Sequence, residues 1–160
     1  MPDISIVERP WNDPAGAGLR AEQQAEIAIR HATVGFDPGP KPSADDIAVF
    51  LLALVDGKPV GCGALRPFPP GLDGTPPLAD AELRRMFVRA RNRGTGVAVA
   101  ILRRLEDEAR TRGWNRLVLE TGATQVDAVR FYEREGFTRI PNFGPYAGHP
   151  EFVCLENTLA

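Results

Sequence analysis

The stretch Arg91-Asn-Arg-Gly-Thr-Gly-Val97 sets two arginines, then two glycines one residue apart, at the head of a run of good helix formers. A helix start leaves backbone N–H groups without partners, and the aligned peptide dipoles add about half a positive charge there. Anions, phosphate above all, are stabilised at such a point. Close approach requires that side chains be cleared away. Gly94 and Gly96 clear them and permit unusual backbone angles, while Arg91 and Arg93 supply planar cations suited to phosphate oxygens. The same glycines would also serve a tight strand-to-helix turn that binds nothing, and the turn alone leaves both readings open. No third glycine follows at the spacing of a dinucleotide fingerprint, and no Lys-Ser/Thr follows as in a nucleoside triphosphate loop. Among ligands, the diphosphate of some other nucleotide-like cofactor remains, beside the turn that binds nothing.

The elements around this turn read clearly. "AELRRMFV" (81–88) is a strand leading into it. "GVAVAILRRLEDEARTRG" is the helix after it, with Ala98, Ile101, Leu102, Leu105 and Ala109 at helical spacing and Gly113 as its stop. "NRLVLET" is a further strand. "TQVDAVRFYEREG" is a second amphipathic helix, apolar at Val126, Val129, Phe131 and Tyr132 and stopped by Gly136. "FTRI" and "EFVCLENTL" close the chain as strands on either side of the loop "PNFGPYAGH". Upstream, "ISIVERP" opens as a strand, and the helix "GLRAEQQAEIAIRHAT" turns Leu19, Ala25, Ile27 and Ala28 toward one face. "GFDPGPKPSADD" is a loop. Two apolar runs flank Asp56-Gly57, a strong hairpin signal. The stretch 67–80, with Pro67, Pro69, Pro70, Pro76 and Pro77, cannot be regular structure; a lid and a plain connection both fit it. The order β-α-β-β-β-α-β-α-β-β predicts an α/β (α+β) fold, a mixed sheet with helices on both faces.

The chain has 160 residues, so a single domain over 1–160 is expected. A net charge of -2 argues against a general nucleic-acid or anionic-membrane binder. Cys62 and Cys154 stand far apart with no spaced Cys/His set, so neither a metal site nor a disulfide is indicated, and buried free thiols are expected. The opening residues lack a basic segment followed by an apolar core, and no apolar run approaches the ~20 residues that span a bilayer. A soluble, cytoplasmic protein is expected.

"ELRRMFVRARNRGTGVAVAILRRLEDEARTRG" resembles the main cofactor-binding motif of the GNAT superfamily of N-acetyltransferases: a strand, then Arg/Gln-x-x-Gly-x-Gly/Ala, then a helix. Arg91, Gly94 and Gly96 meet it. "DAVRFYEREGF" is similar to the family's next motif, A-x-x-x-Y-x-x-x-G-F, through Ala128, Tyr132, Gly136 and Phe137. The likeness runs from about Ile47 to the C-terminus. It implies a GNAT-like, mostly antiparallel sheet, acetyl-CoA as co-substrate and an amine of a small molecule or peptide as acceptor. It also implies that the pantetheine arm pairs with the strand at Met86, Phe87 and Val88, and that the diphosphate rests on Arg91, Asn92, Arg93, Gly94, Thr95, Gly96 and Val97. Where the family often has Asn early in the second motif, this chain has Gln125, which keeps an amide. Dimerisation is common in that family, so a homodimer is allowed for.

Acyl transfer to an amine needs a neutral amine, donors for the developing oxyanion, and a proton for the departing thiolate. An amine of pKa about 10.4 is well under ~1% free base at pH 7. Glu82, at the start of the strand leading to the turn, is the candidate base; strand alternation would put Glu82, Arg84 and Met86 on one face. Glu120 is a second carboxylate for that task. Amides near Phe87 or Val88 are the candidate oxyanion donors. The resemblance places the family's frequent acid at Tyr132, a phenol protonated at neutral pH; periodicity alone would make it a core tyrosine. Tyr146 and His149 lie in the last loop, for which a border to the acceptor site and a simple surface connection both fit. The competing readings are an acyltransferase with a larger acyl donor or a different acceptor, and a GNAT-like module that binds CoA or a ligand without turnover.

Overall fold

Among the described residues, seven strands form one sheet, in which the sixth and seventh strands of the chain exchange places and the others follow chain order. They are β1 (Ile4–Glu8), β2 (Val49–Val55), β3 (Lys58–Phe68), β4 (Asp80–Val88), β5 (Arg116–Gly122), β6 (Thr138–Ile140) and β7 (Phe152–Thr158). The helices are α1 (Pro14–Arg30), α2 (Val97–Thr111) and α3 (Val126–Arg134). The computed structural model describes residues 3–30, 41–68 and 80–159. His31, residues 35–40 and most of the proline-rich stretch 67–80 lie outside them.

Every neighbouring strand pair is antiparallel except β4 with β5. That pair is parallel because α2 carries the chain back across the sheet between them. On one face, α2 and α3 cover a core that includes Leu51, Leu65, Leu83, Leu117 and Leu155. The other face is covered by α1, whose Leu19 packs with Phe50, Leu52 and Phe87. Further along that second face, Phe143 and Tyr146 pack with Phe68, Val118 and Cys154. The mixed sheet with helices on both faces is therefore as expected.

Local chemistry explains the boundaries. Asp56 and Gly57 both hold positive φ (51° and 80°), as a two-residue hairpin turn demands. α2 and α3 end alike: the amides of Trp114 and Phe137 reach back to the Ala109 and Tyr132 carbonyls, with Gly113 and Gly136 in the left-handed region between. α1 starts four residues earlier than its composition suggests. Asp13 caps it, its Oδ2 accepting from the amides of Ala15 and Gly16, and Pro14 fits the first turn. Gly16 is needed there, since a Cβ would lie 2.3 Å from the Phe50 ring. Two expected apolar faces are narrower than drawn. Ala25 on α1 is exposed, and Val126 on α3 is 49% exposed.

Candidate active site

β4 and β5 pair at only three steps, the last being Glu82 with Val118. Beyond that, β4 follows β3 as far as Val88 and β5 follows β7 as far as Gly122. The two strands thus leave facing main-chain edges that the sheet does not pair. At the open end, α2 begins after β4 and α3 begins after β5.

A bulge in β4 accompanies the split. Between the pairs Cys62–Phe87 and Ala64–Arg84, β4 carries one extra residue opposite Gly63. Arg85 takes φ 58°, a left-handed angle that costs a non-glycine residue about 1–2 kcal/mol. The extra residue reverses the alternation. Glu82 and Arg84 face the α1 side, whereas Met86 packs into the α2 core. The expectation that Glu82, Arg84 and Met86 share one face is therefore wrong, because alternation holds only in an unbroken strand. Side chains take up carbonyls at the bulge: the Cys62 thiol donates to Arg85 O (3.3 Å) and Gln23 Nε2 donates to Met86 O (2.9 Å). Gln23 Oε1 is buried and has no partner among the described residues.

The glycine turn follows. A short 3-10 segment (Ala90–Asn92) leads to Gly94 and Gly96, with φ of 74° and 92°. Gly96 is the N-cap of α2 and offers no side chain to cap it. A Cβ at either glycine would meet nothing within 4 Å, so the space before the helix is open. The arginines divide. Arg93 is turned toward α1, bonding both oxygens of Glu26 (2.7 and 2.8 Å) and the Val88 carbonyl. Arg89 does the same with Glu22 and the Pro59 carbonyl. Arg91 is exposed and has no ion pair among the described residues. The Thr95 hydroxyl donates to the Asn92 carbonyl and braces the turn. A cleft of about 660 Å³ adjoins it, with Glu22, Glu26, Phe87, Arg89 and Arg91 among its walls. Another hollow, about 590 Å³, lies by Trp11 and Phe50 at the start of β2.

On the α1 face, a buried ionic cluster stands where the strands part. Glu82 accepts from Arg66 Nε through Oε1 (2.8 Å) and from Arg84 Nη1 through Oε2 (3.3 Å). Arg66 also reaches Asp46. Arg84 Nη1 lies 3.4 Å from Glu120 Oε1 on β5 and 3.0 Å from Tyr146 Oη. Burial alone would lower the Arg84 pKa, but Glu82, Tyr146 and Glu120 outweigh it and hold the pKa above its ordinary value. Glu120 is the more open of the two carboxylates, its side chain 16% exposed against 5% for Glu82. At the closed end, Arg116 bridges Asp80 (2.7 Å) and Glu156 (3.2 Å).

From the other face, α3 presents Tyr132, buried between Phe131 and Phe137. Burial raises its pKa, and the charge of Glu120 raises it further. The phenol is thus firmly protonated at neutral pH. Gln125, at the N-cap of α3, bends over Gly122, its Nε2 lying 3.3 Å from where a Cβ would be. His149 pairs with Glu151 in an exposed position. Both cysteines are free and buried, as expected. No described helix is long and apolar enough to cross a membrane. Arg66, Arg84, Gln23 and the Cys62 contact carry no local sequence signal, since each acts through a partner on another element.

Comparison with known proteins agrees with this geometry. A profile of the acetyltransferase (GNAT) family matches residues 19–137. An IAA acetyltransferase from Azospirillum brasilense is 38% identical over 110 residues, covering 69% of this chain and 67% of that protein. The crystal structure of a Klebsiella pneumoniae protein described as an acyl-CoA N-acyltransferase superposes with a TM-score of 0.77 at 25% identity, over 98% of both chains. The PaiA N-acetyltransferase of Thermoplasma acidophilum, solved in complex with coenzyme A, has the same fold, with a TM-score of 0.71 at 15% identity over 98% of this chain and 99% of that one.

Proposed function

The chain belongs to the acetyltransferase (GNAT) family, whose acyl donor is acetyl-CoA, and we propose that it transfers the acetyl group directly to a primary amine of a small molecule or peptide. The observation that carries this reading is the coincidence of three features: an open pair of strand edges, an uncapped helix start at its mouth, and a protonated phenol and a carboxylate on its two sides.

The residues present fit the cofactor. The amides from Arg91 to Val97 hold the diphosphate, with Arg91 adding charge, and Gly94 and Gly96 keep the approach clear. The β4 edge at Met86, Phe87 and Val88, which β5 leaves unpaired, receives the pantetheine arm, and Gln125 faces it from the start of α3. The thioester supplies an activated acetyl group; the rest falls to the protein. Glu120 takes the amine proton, directly or through water. Glu82, the more buried of the two carboxylates and tied through both oxygens to arginines, holds those arginines in place. An amide at Phe87 or Val88 faces the developing negative charge. Tyr132 donates a hydrogen bond to the leaving sulfur. Its raised pKa makes complete transfer to an alkyl thiolate uphill, so stabilisation by hydrogen bonding is its contribution.

Thiol release from acetyl-CoA, followed across a panel of small amines and peptide N-termini, tests the proposal. Turnover with at least one amine, lost in Glu120→Gln, is expected. Tight CoA binding without thiol release on any amine would instead mean a ligand-binding module.

A further inference from the structure

We propose that Arg84 is a positioning residue that ties the two parting strands to the loop before β7 and so sets the acceptor side of the cleft. The inference rests on the acetyltransfer reading of the same site.

Arg84 lies on β4 two residues past Glu82, the last β4 residue to pair with β5. Main-chain bonding no longer fixes the spacing of β4 and β5 at this level. One guanidinium nitrogen, Nη1, does so instead. It meets Glu82 on its own strand, Glu120 across the gap, and the Tyr146 hydroxyl on the 3-10 turn Gly144–Tyr146. Tyr146 is itself 2% exposed and packs edge-on against Phe143 and Phe152, so the contact anchors a rigid part of the loop. Asn142 stiffens the same loop by donating to the carbonyls of His149 and Phe152. Arg84 is 5% exposed, so its guanidinium cannot exchange these acceptors freely for water.

The charges here are Arg66 and Arg84 against Asp46, Glu82 and Glu120. Deleting Arg84 leaves Glu82 with Arg66 but takes from Glu120 a neighbouring cation. Glu120 then loses a contact that holds it at the mouth, and Tyr146 loses its hydrogen bond to β4. The diphosphate site lies past the far end of β4, on main-chain amides from Arg91 to Val97. Acceptor handling and cofactor binding should therefore separate.

Arg84→Gln is expected to lower kcat/KM for the amine by about tenfold or more, with acetyl-CoA Kd changed by less than about threefold. Arg84→Lys, which keeps the charge on one donor atom, should recover part of the loss. Tyr146→Phe alone should raise the amine KM, and in the Arg84→Gln background it should add less than about a factor of two, because the shared contact is already gone. Tyr146→Phe retains every charge and carries the test if Arg84→Gln does not fold. Additive effects of the two substitutions, or an acetyl-CoA Kd that rises as much as amine kcat/KM falls, would overturn the proposal. Glu120→Gln measured alongside separates the two ideas. A silent Glu120→Gln removes the base assignment, while the Arg84–Tyr146 coupling is read from its own pair.

Discussion

Replacing Gly94 with glutamate should damage cofactor binding and stability by separable amounts. Gly94 holds φ 74°, so any side chain there strains the backbone by about 1–2 kcal/mol. In a chain of this size each kcal/mol lowers Tm by about 2–4 °C. A Cβ at Gly94 meets no protein atom within 4 Å, so no packing penalty adds to this. The ligand loses more. A hydrogen bond from an amide to a charged oxygen contributes about 1.5–3 kcal/mol, and losing even one raises Kd roughly 10- to 150-fold. Gly113 provides the control. Its φ is 76°, a Cβ there also meets nothing, and it lies at the other end of α2, about 25 Å away at 1.5 Å per residue. Gly113→Glu should therefore melt early by a similar margin and bind CoA normally. Calorimetry with CoA and with pantetheine, alongside thermal melts, makes the comparison. Only the ligand carrying a diphosphate should weaken in Gly94→Glu. If CoA binds within twofold of wild type, or pantetheine weakens equally, the amide turn does not hold the diphosphate.

Tyr132→Phe keeps the contacts with Phe131 and Phe137, so it should lower kcat by about 10- to 150-fold, the loss of one hydrogen bond to a charged sulfur, with acetyl-CoA Kd unchanged; an unaltered kcat in steady-state assays removes the hydroxyl from the chemistry. Arg91→Ala should raise the acetyl-CoA KM several-fold and flatten its salt dependence, whereas Arg93→Ala, which loses the exposed pair with Glu26, should cost at most about 1 kcal/mol in thermal melts. Burial pushes the Cys62 thiol up to about 12, only partly offset by Arg20 and Arg85. Because the native value lies above the unfolded one, this stabilisation is complete below pH ~8.5 and is lost as pH rises toward 12, by at most about 1.4 kcal/mol per pH unit. Urea titrations of wild type and Cys62→Ala between pH 8 and 11 should show the steeper alkaline loss in wild type.

What the sequence made legible was local. The hairpin, the two helix stops and the glycine turn each depend on residues within a few positions of one another, and their chemistry has few solutions. The start of α1 was also local, in Asp13-Pro14, but Gly16 and Gly18 obscured it; Gly16 is there to admit Phe50, a residue 34 positions away. The bulge had no such signature. Glycine is the usual mark of a left-handed angle, and here Arg85 adopts one, so strand alternation carried through it gave Met86 the wrong face. The ionic cluster was illegible for a related reason. Arg84 and Tyr146 stand 62 residues apart, and only the folded sheet shows that the arginine on β4 and the tyrosine after β6 meet.

The split between β4 and β5 also needs a physical cause, since unpaired strand edges are costly. Two glycines on β3 point to it. A Cβ on Gly61 would lie 3.1 Å from Ile101 Cδ1, and one on Gly63 would lie 2.9 Å from Ile101 Cγ2 and 3.1 Å from Leu105. α2 can therefore press directly on the β3 backbone, closer than any side chain there would allow. The helix starts only nine residues after β4 ends, so a helix seated on β3 draws the end of β4 toward β3 and away from β5. The extra residue at Arg85 absorbs the resulting offset between β4 and β3. Arg89 and Arg93 then fasten α1 to the displaced end. Opening the sheet, seating α2 and aiming its uncapped start at the gap are thus one packing decision, made chiefly by residues that never touch a ligand.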